Sequence, residues 1–327
     1  MPSLDALKSF SADDLLRELR AREHNEQPRD AEGFERTAAV ELNEVLREYD
    51  SPTLAKALRE MQTVIYESDD RQDLFEVNDQ AVLAVSRGVV ALVWKSALRN
   101  NGNGTSTLTT ESFGASKLLC RSEAFFEQPI AAFCTGFLVA PDVVATAGHC
   151  VTAENVTEVR FVFGFRMIDA RHAHTTISNE DIYAGFRVID RRQEGAGADW
   201  ALVQLDRAAP SDKVVSIRRQ PGRIAGDQQV YVIGHPCGLP TKYAAGARVR
   251  FNENAAFFVA NLDTYGGNSG SPVFNAETNE VEGVLVRGET DFVSQGNCNV
   301  SLVCPAGASC RGEDCTRVSE FAGMIPH

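Results

Sequence analysis

The stretch 137-FLVAPDVVATAGHC-150 decides the reading of this chain: two short apolar, β-branched runs separated by Pro141-Asp142 and ending in a glycine and a histidine. Runs of the same texture recur from about Val82 onward, at 89-VVALVW-94, 201-ALVQL-205, 230-VYVI-233 and 281-VEGVLV-286, with polar turns between them. Many short strands spaced by turns predict an all-β barrel or sandwich. Between these runs, 100-NNGNGTSTLTT-110 reads as an exposed loop with no core-forming residue. No internal repeat of short period is visible.

The first sixty or so residues have a different texture. Leu42, Val45, Leu46 and Tyr49 follow the i, i+3, i+4, i+7 spacing of one helix face. A second helix is predicted from Ser51, which can cap free amides, with Pro52 in the first turn and Leu54, Leu58 and Met61 on one side. The expected organisation is a helical N-terminal segment over 1–63 and a β-rich domain over 64–327, with the helical segment read equally well as a subdomain or a pro-region.

A chain of 327 residues with 43% hydrophobic and 24% charged residues has enough apolar surface for a sizeable core, and no apolar run reaches the length of a membrane span. Its formal net charge of -13 opposes binding to a phosphate backbone or an anionic lipid surface, so neither nucleic acid nor membrane is an expected partner. All eight cysteines fall at Cys120 or later, which suits a disulfide-bearing region from an oxidising compartment. The opening residues lack the basic start and apolar core of a signal peptide. The expectation is a secreted or extracytoplasmic protein whose leader is not in this sequence, with a cytoplasmic location left open.

Three runs carry chemistry. Acyl transfer at neutral pH needs a nucleophile, a base to take its proton and a group that fixes the base's tautomer. A histidine closes 146-TAGHC-150, an aspartate opens the strand in 197-GADWALVQL-205, and a serine lies in the glycine-rich turn 266-GGNSGSP-272. Each has a plain structural reading as well. A histidine after a strand is usually hydrogen-bonded scaffold, which is how His172, His174 and His235 are read. An acidic residue at a strand start is usually a cap, and Asp190 and Asp206 compete with Asp199 for the role. A serine among glycines is usually a turn. Only the joint pattern points to catalysis.

These runs resemble the chymotrypsin-like serine proteases, and more closely the bacterial glutamyl-endopeptidase branch, whose nucleophile turn also reads Gly-Asn-Ser-Gly-Ser-Pro. The resemblance covers roughly Val64 to the end and includes 64-VIYESDDRQ-72, which looks like the mature N-terminus of that branch. It implies a two-lobed antiparallel β-barrel fold acting on protein or peptide substrates without metal or organic cofactor. It also implies Ser269 as nucleophile, His149 as general base, Asp199 as its orienting carboxylate, and the amides of Gly267 and Ser269 as the oxyanion hole. One such donor is worth about 2.7 to 4 kcal/mol in the transition state. Cys134 and Cys150 match the pair that staples the histidine loop, a closure of 150 - 134 = 16 positions worth about 3 kcal/mol. The other six cysteines have fifteen possible pairings. A zinc site is the rival for the four within 298–315, disfavoured because that stretch has no Cys-x-x-Cys pair and no histidine.

For the substrate pocket, the resemblance implies Asp263, Thr264, Leu285 and Arg287. Asp263 stands six positions before Ser269, where trypsin-like enzymes keep the carboxylate that pairs with lysine or arginine. Thr264 follows as in the glutamyl branch, but Leu285 replaces the histidine with which that branch holds glutamate. A basic preference is therefore favoured over an acidic one, with an internal Asp263–Arg287 pair as the alternative. Asn268 precedes the nucleophile where trypsin-like zymogens have aspartate, so no ion pair to a freed amine is available there, and Thr63-Val64 is the expected junction of a removable cover. A noncatalytic protein-binding module on the same fold, and an esterase with the same triad, are the two other functions weighed.

Overall fold

In a computed structural model of the chain, the described residues are 46–49, 53–54, 65–66, 69–195, 197–287, 292–304 and 312–325. Leu42, Val45, Ser51, Pro52, Leu58 and Met61, predicted to be helical from the sequence, lie outside them. Leu46 and Leu54 are helical and, with Tyr49, buried.

Thirteen strands carry the architecture. A short β1 (Arg71–Asp73) is followed by the helix α1 (Gln80–Ser86), which starts where the Asp79 carboxylate accepts hydrogen bonds from the amides of Ala81 and Val82. The first lobe contains β2 (Val89–Trp94), β3 (Cys134–Ala140), β4 (Val143–Thr146), β5 (Val159–Phe163), β6 (Ile182–Gln193) and β7 (Asp199–Leu205). These close into an antiparallel barrel in the order β2-β3-β4-β7-β6-β5, with β5 returning to β2 through pairs such as Phe161 with Leu92.

The second lobe contains β8 (Gln229–Gly234), β9 (Lys242–Phe251), β10 (Phe257–Ala260), β11 (Pro272–Asn275), β12 (Val281–Arg287) and β13 (Glu313–Arg317). Their order is β8-β9-β10-β13-β12-β11, closed by the pairing of β11 with β8, and β1 adds to the outer edge of β9. Counted within each lobe, the strand order is the same: first, second, third, sixth, fifth, fourth. The chain is therefore a two-barrel protein of the chymotrypsin-like fold.

Apolar side chains of both lobes meet in one large core that includes Phe137, Phe161, Trp200, Phe274 and Phe321. Burial of such rings supplies the main driving force for closing the barrels.

One expectation needs correction. Part of the 100–110 loop is a strand: Thr105–Leu108 pairs with Leu98–Asn100 and with Thr176–Ser178. Leu108 is buried beside Val93 and Ile177. Alternating threonine and serine suit a pleated strand despite their low hydropathy, and only 101–104 forms the exposed tip.

A candidate active site between the two barrels

His149 sits in the tight turn after β4, and Asp199 is the first residue of β7. The ring Nδ1 lies 2.8 Å from the Asp199 Oδ2, and the His149 amide donates to the other carboxylate oxygen at 3.1 Å. One carboxylate thus holds both the backbone and the ring of the histidine. The intervening glycine makes this approach possible: a Cβ on Gly148 would lie 2.4 Å from the Arg192 carbonyl oxygen and 2.9 Å from the Asp199 Oδ1. Asp199 is 4% exposed, whereas the His149 side chain keeps 34% of its surface in solvent. A buried carboxylate is thereby coupled to a ring open to solvent.

Ser269 lies in the loop between β10 and β11, partly exposed, in a backbone that only glycine makes comfortable. Gly267 and Gly270 both have φ of 89°. A Cβ on Gly270 would lie 2.0 Å from the Thr135 carbonyl oxygen. Gly270 N–H donates to Leu285 O at 2.6 Å and Leu285 N–H to Ser271 O at 2.9 Å, so β12 grips the loop from one side. From the other side, Thr135 N–H donates to Ser269 O at 2.9 Å, and the Cys150 sulfur lies 3.7 Å from the same oxygen. The serine carbonyl is thus fastened to Cys150 and to Thr135, the neighbour of Cys134, and the Cys134–Cys150 disulfide itself adjoins His149. Cys134, His149 and Cys150 bring donor atoms within 4.8 Å of one another, but the two sulfurs are bonded to each other and offer no thiolate to a metal.

Asn268 is 2% exposed, and its side-chain oxygen accepts from the Ser271 hydroxyl at 3.3 Å. Among the described residues, the other histidines make scaffold or surface contacts. His235 is buried with Nδ1 donating to Leu239 O at 2.9 Å, and burial pulls it down to about 4, so it is neutral at physiological pH. His174 meets Gly164 O, and His172 pairs with Asp169 on the surface.

The pocket residues are more deeply placed than an open specificity site requires. Asp263 is 4% exposed and accepts the Asp70 N–H at 3.1 Å through Oδ2. Burial, and then the Asp263 charge, push the neighbouring Asp70 carboxyl up to about 8, so the pair holds a proton at neutral pH. Arg71 covers the same region, bonded to Asp69 and to the Tyr265 hydroxyl and stacked 3.7 Å above the Tyr265 ring. Thr264 is fully buried, and Leu285 packs with Leu262, Val273 and Phe258. The backbone of Arg287 pairs with Asp314. Its side chain, and with it the Asp263–Arg287 pair, lies outside the described residues.

Four residues important to this geometry were not singled out by sequence. Thr316 on β13 accepts the Asp199 N–H at 3.0 Å, and Thr135 ties β3 to the serine loop. Glu313 and Asp314, adjacent on β13, are both wholly buried. Their signal is the run 312-GEDCTRV-318, in which neighbouring charges on a strand face opposite sides, so burying both requires cover on both faces. A second disulfide, Cys120–Cys298, settles one of the open pairings. The side chains of Cys304 and Cys310 lie outside the described residues.

An antiparallel double barrel holding a histidine–carboxylate pair and a glycine-framed serine where the lobes meet has the form of the chymotrypsin-like serine proteases. Residues 134–284, which span all of these groups, match the family model of the trypsin-like peptidase domain. Among solved structures, human heparin binding protein is 16% identical, covering 74% of this chain and 91% of its own at a TM-score of 0.45. A Glu endopeptidase solved in complex with MPD is 18% identical, covering 80% and 98% at a TM-score of 0.44. No curated protein gives a significant match. The fold is thus chymotrypsin-like, and residues 134–284 are similar to the trypsin-like peptidase domain.

Proposed function

We propose that the chain is a serine endopeptidase that cleaves through an acyl-enzyme on Ser269. The observation that carries this reading is the double contact between Asp199 and His149. With Nδ1–H donated to the carboxylate, the Nε2 lone pair is left to take the Ser269 proton as the hydroxyl attacks the scissile carbonyl. The same nitrogen then returns the proton to the leaving amine, and water repeats the cycle to release the acyl group. Backbone amides of Gly267 and Ser269 stabilise the oxyanion, and the φ of 89° at Gly267 is what lets its amide face the substrate.

Two disulfides support an extracytoplasmic place of work, and among the described residues no helix is long and apolar enough to cross a membrane. Residues 1–63 are read as a cover removed at Thr63-Val64, with 64–327 the protease domain. Asn268, an amide in a buried acceptor role, supports activation without an ion pair at that position. Cleavage after lysine or arginine is the preference attached to Asp263, and a mixed peptide library compared between the natural chain and Asp263→Ala tests it.

A fluorophosphonate probe tests the central claim. It is expected to label Ser269 alone, and Ser269→Ala is expected to lose about 10⁶ in kcat with unchanged melting temperature. Labelling at another residue, or turnover surviving in the variant, would sink the assignment.

A further inference from the structure

Thr135 is fully buried on β3, next to the disulfide. Its hydroxyl oxygen accepts the His235 N–H at 3.0 Å and donates its single hydrogen to the Gly267 carbonyl at 3.2 Å. Its own N–H donates to Ser269 O at 2.9 Å, and its carbonyl accepts from the Thr146 hydroxyl at 2.7 Å. One residue of the first barrel therefore holds the carbonyls of both residues flanking Asn268 in the second.

The two links differ in what supplies them. Any residue but proline at 135 has a backbone amide for Ser269, but the bond to the Gly267 carbonyl needs a side-chain donor; the other end of that peptide is held by the Asn268 N–H, which donates to Tyr265 O at 3.1 Å. That second link matters because Gly267 has no Cβ to hinder rotation of its flanking peptides. A Cβ there would lie 3.1 Å from the Cys237 nitrogen and 3.2 Å from the Gly238 nitrogen, so the backbone of 235–238 packs closely against the loop.

Resting on the protease reading above, we propose that Thr135 is a positioning residue whose hydroxyl locks the Gly267–Asn268 peptide and so keeps the oxyanion donors on either side of it aimed at the substrate. It touches no reacting atom. Its contribution is preorganisation, which acts in the transition state and leaves ground-state peptide binding largely alone.

Thr135→Val keeps the shape and removes the hydroxyl, and Thr135→Ser keeps the hydroxyl and removes the methyl. With a chromogenic peptide, Thr135→Val is expected to lower kcat by roughly tenfold to a hundredfold with KM within about twofold. The rate of labelling by a fluorophosphonate should fall in parallel, and Thr135→Ser should recover most of both. An unchanged kcat in Thr135→Val, even with a lowered melting temperature, would overturn the proposal, since a merely structural role moves stability alone. Equal losses in the valine and serine variants would overturn it too, by assigning the effect to packing. If Thr135→Val does not fold, Thr135→Ala set against Thr135→Ser is judged by the same split. A natural chain that neither cleaves nor takes the label defeats the protease reading itself, whereas an active natural chain matched by Thr135→Val defeats only the role of Thr135.

Discussion

The two barrels share one strand order yet handle buried charge in opposite ways. Along the six strands of the first, Asp199 is the one buried charged side chain among the described residues. The second, with β1, buries Arg71, Asp73, Lys242, Glu282, Glu313, Asp314 and Arg317. Charge in a barrel interior survives only with compensation, and the compensation differs. Lys242 is bonded to Asp73 and Gln128 and lies 4.3 Å over the Phe125 ring, while Glu282 meets Arg218 and the Asn275 amide. Those partners are fixed scaffold. Asp199 is instead compensated by a histidine ring open to solvent, a partner able to gain and lose a proton during a reaction. Burial of charge alone does not set Asp199 apart here; burial against a solvent-accessible histidine does.

The largest expected effect tests that distinction directly. Asp199→Asn should lower kcat by about 10⁴ at neutral pH, because the amide no longer enforces the Nδ1–H tautomer of His149. Thermal unfolding should change little by comparison. Lys242→Met should do the reverse, costing about 3 to 5 kcal/mol of stability by stranding Asp73 without its cation, with kcat preserved at temperatures where the protein stays folded. If both variants lose activity alike, the contrast between the lobes fails.

Next in size is the Cys134–Cys150 staple of the first barrel. Replacing both cysteines by serine should cost about 3 kcal/mol, read by urea denaturation, for a closed loop of 16 positions. A loss well below that would mean that the loop is already held by the Thr135 and Thr146 hydrogen bonds.

The smallest effect concerns Asp70. Its carboxyl is pushed up to about 8 by burial and by Asp263, far above the roughly 3.9 of the unfolded chain. Between those values the native state binds more protons than the unfolded one, so stability falls as pH rises through that window. Asp70→Asn should flatten this decline and raise stability at pH 8, on the order of 1 kcal/mol once solvent screening of the half-buried group is allowed for. An unchanged pH profile in the variant would place the shared proton elsewhere.

The first barrel was the more legible of the two. The run 89–94 corresponds residue for residue to β2, and 137–140 falls within β3 and 143–147 overruns β4 by one residue, because strands covered on both faces read as continuous apolar runs. In the second barrel β13 was missed: a strand reading Glu-Asp-Cys-Thr-Arg carries no hydropathy signal, and only its tertiary partners make it interior. The repeated strand order left no trace in sequence either, since topology can recur without residue identity. The runs around His149, Asp199 and Ser269 were readable because glycines and strand ends mark them locally. Thr135 and Thr316 were not, because their partners lie 132 and 117 positions away.

The Cys120–Cys298 bridge spans 178 positions and encloses most of both barrels. A nick anywhere in the backbone between those two cysteines yields fragments that remain covalently joined. Cleavage by a protease at an exposed turn inside that span, such as 168–172, would then be silent on a non-reducing gel and visible only after a thiol is added. The bridge keeps a molecule cut within that span together as two linked chains, where an unbridged one could come apart.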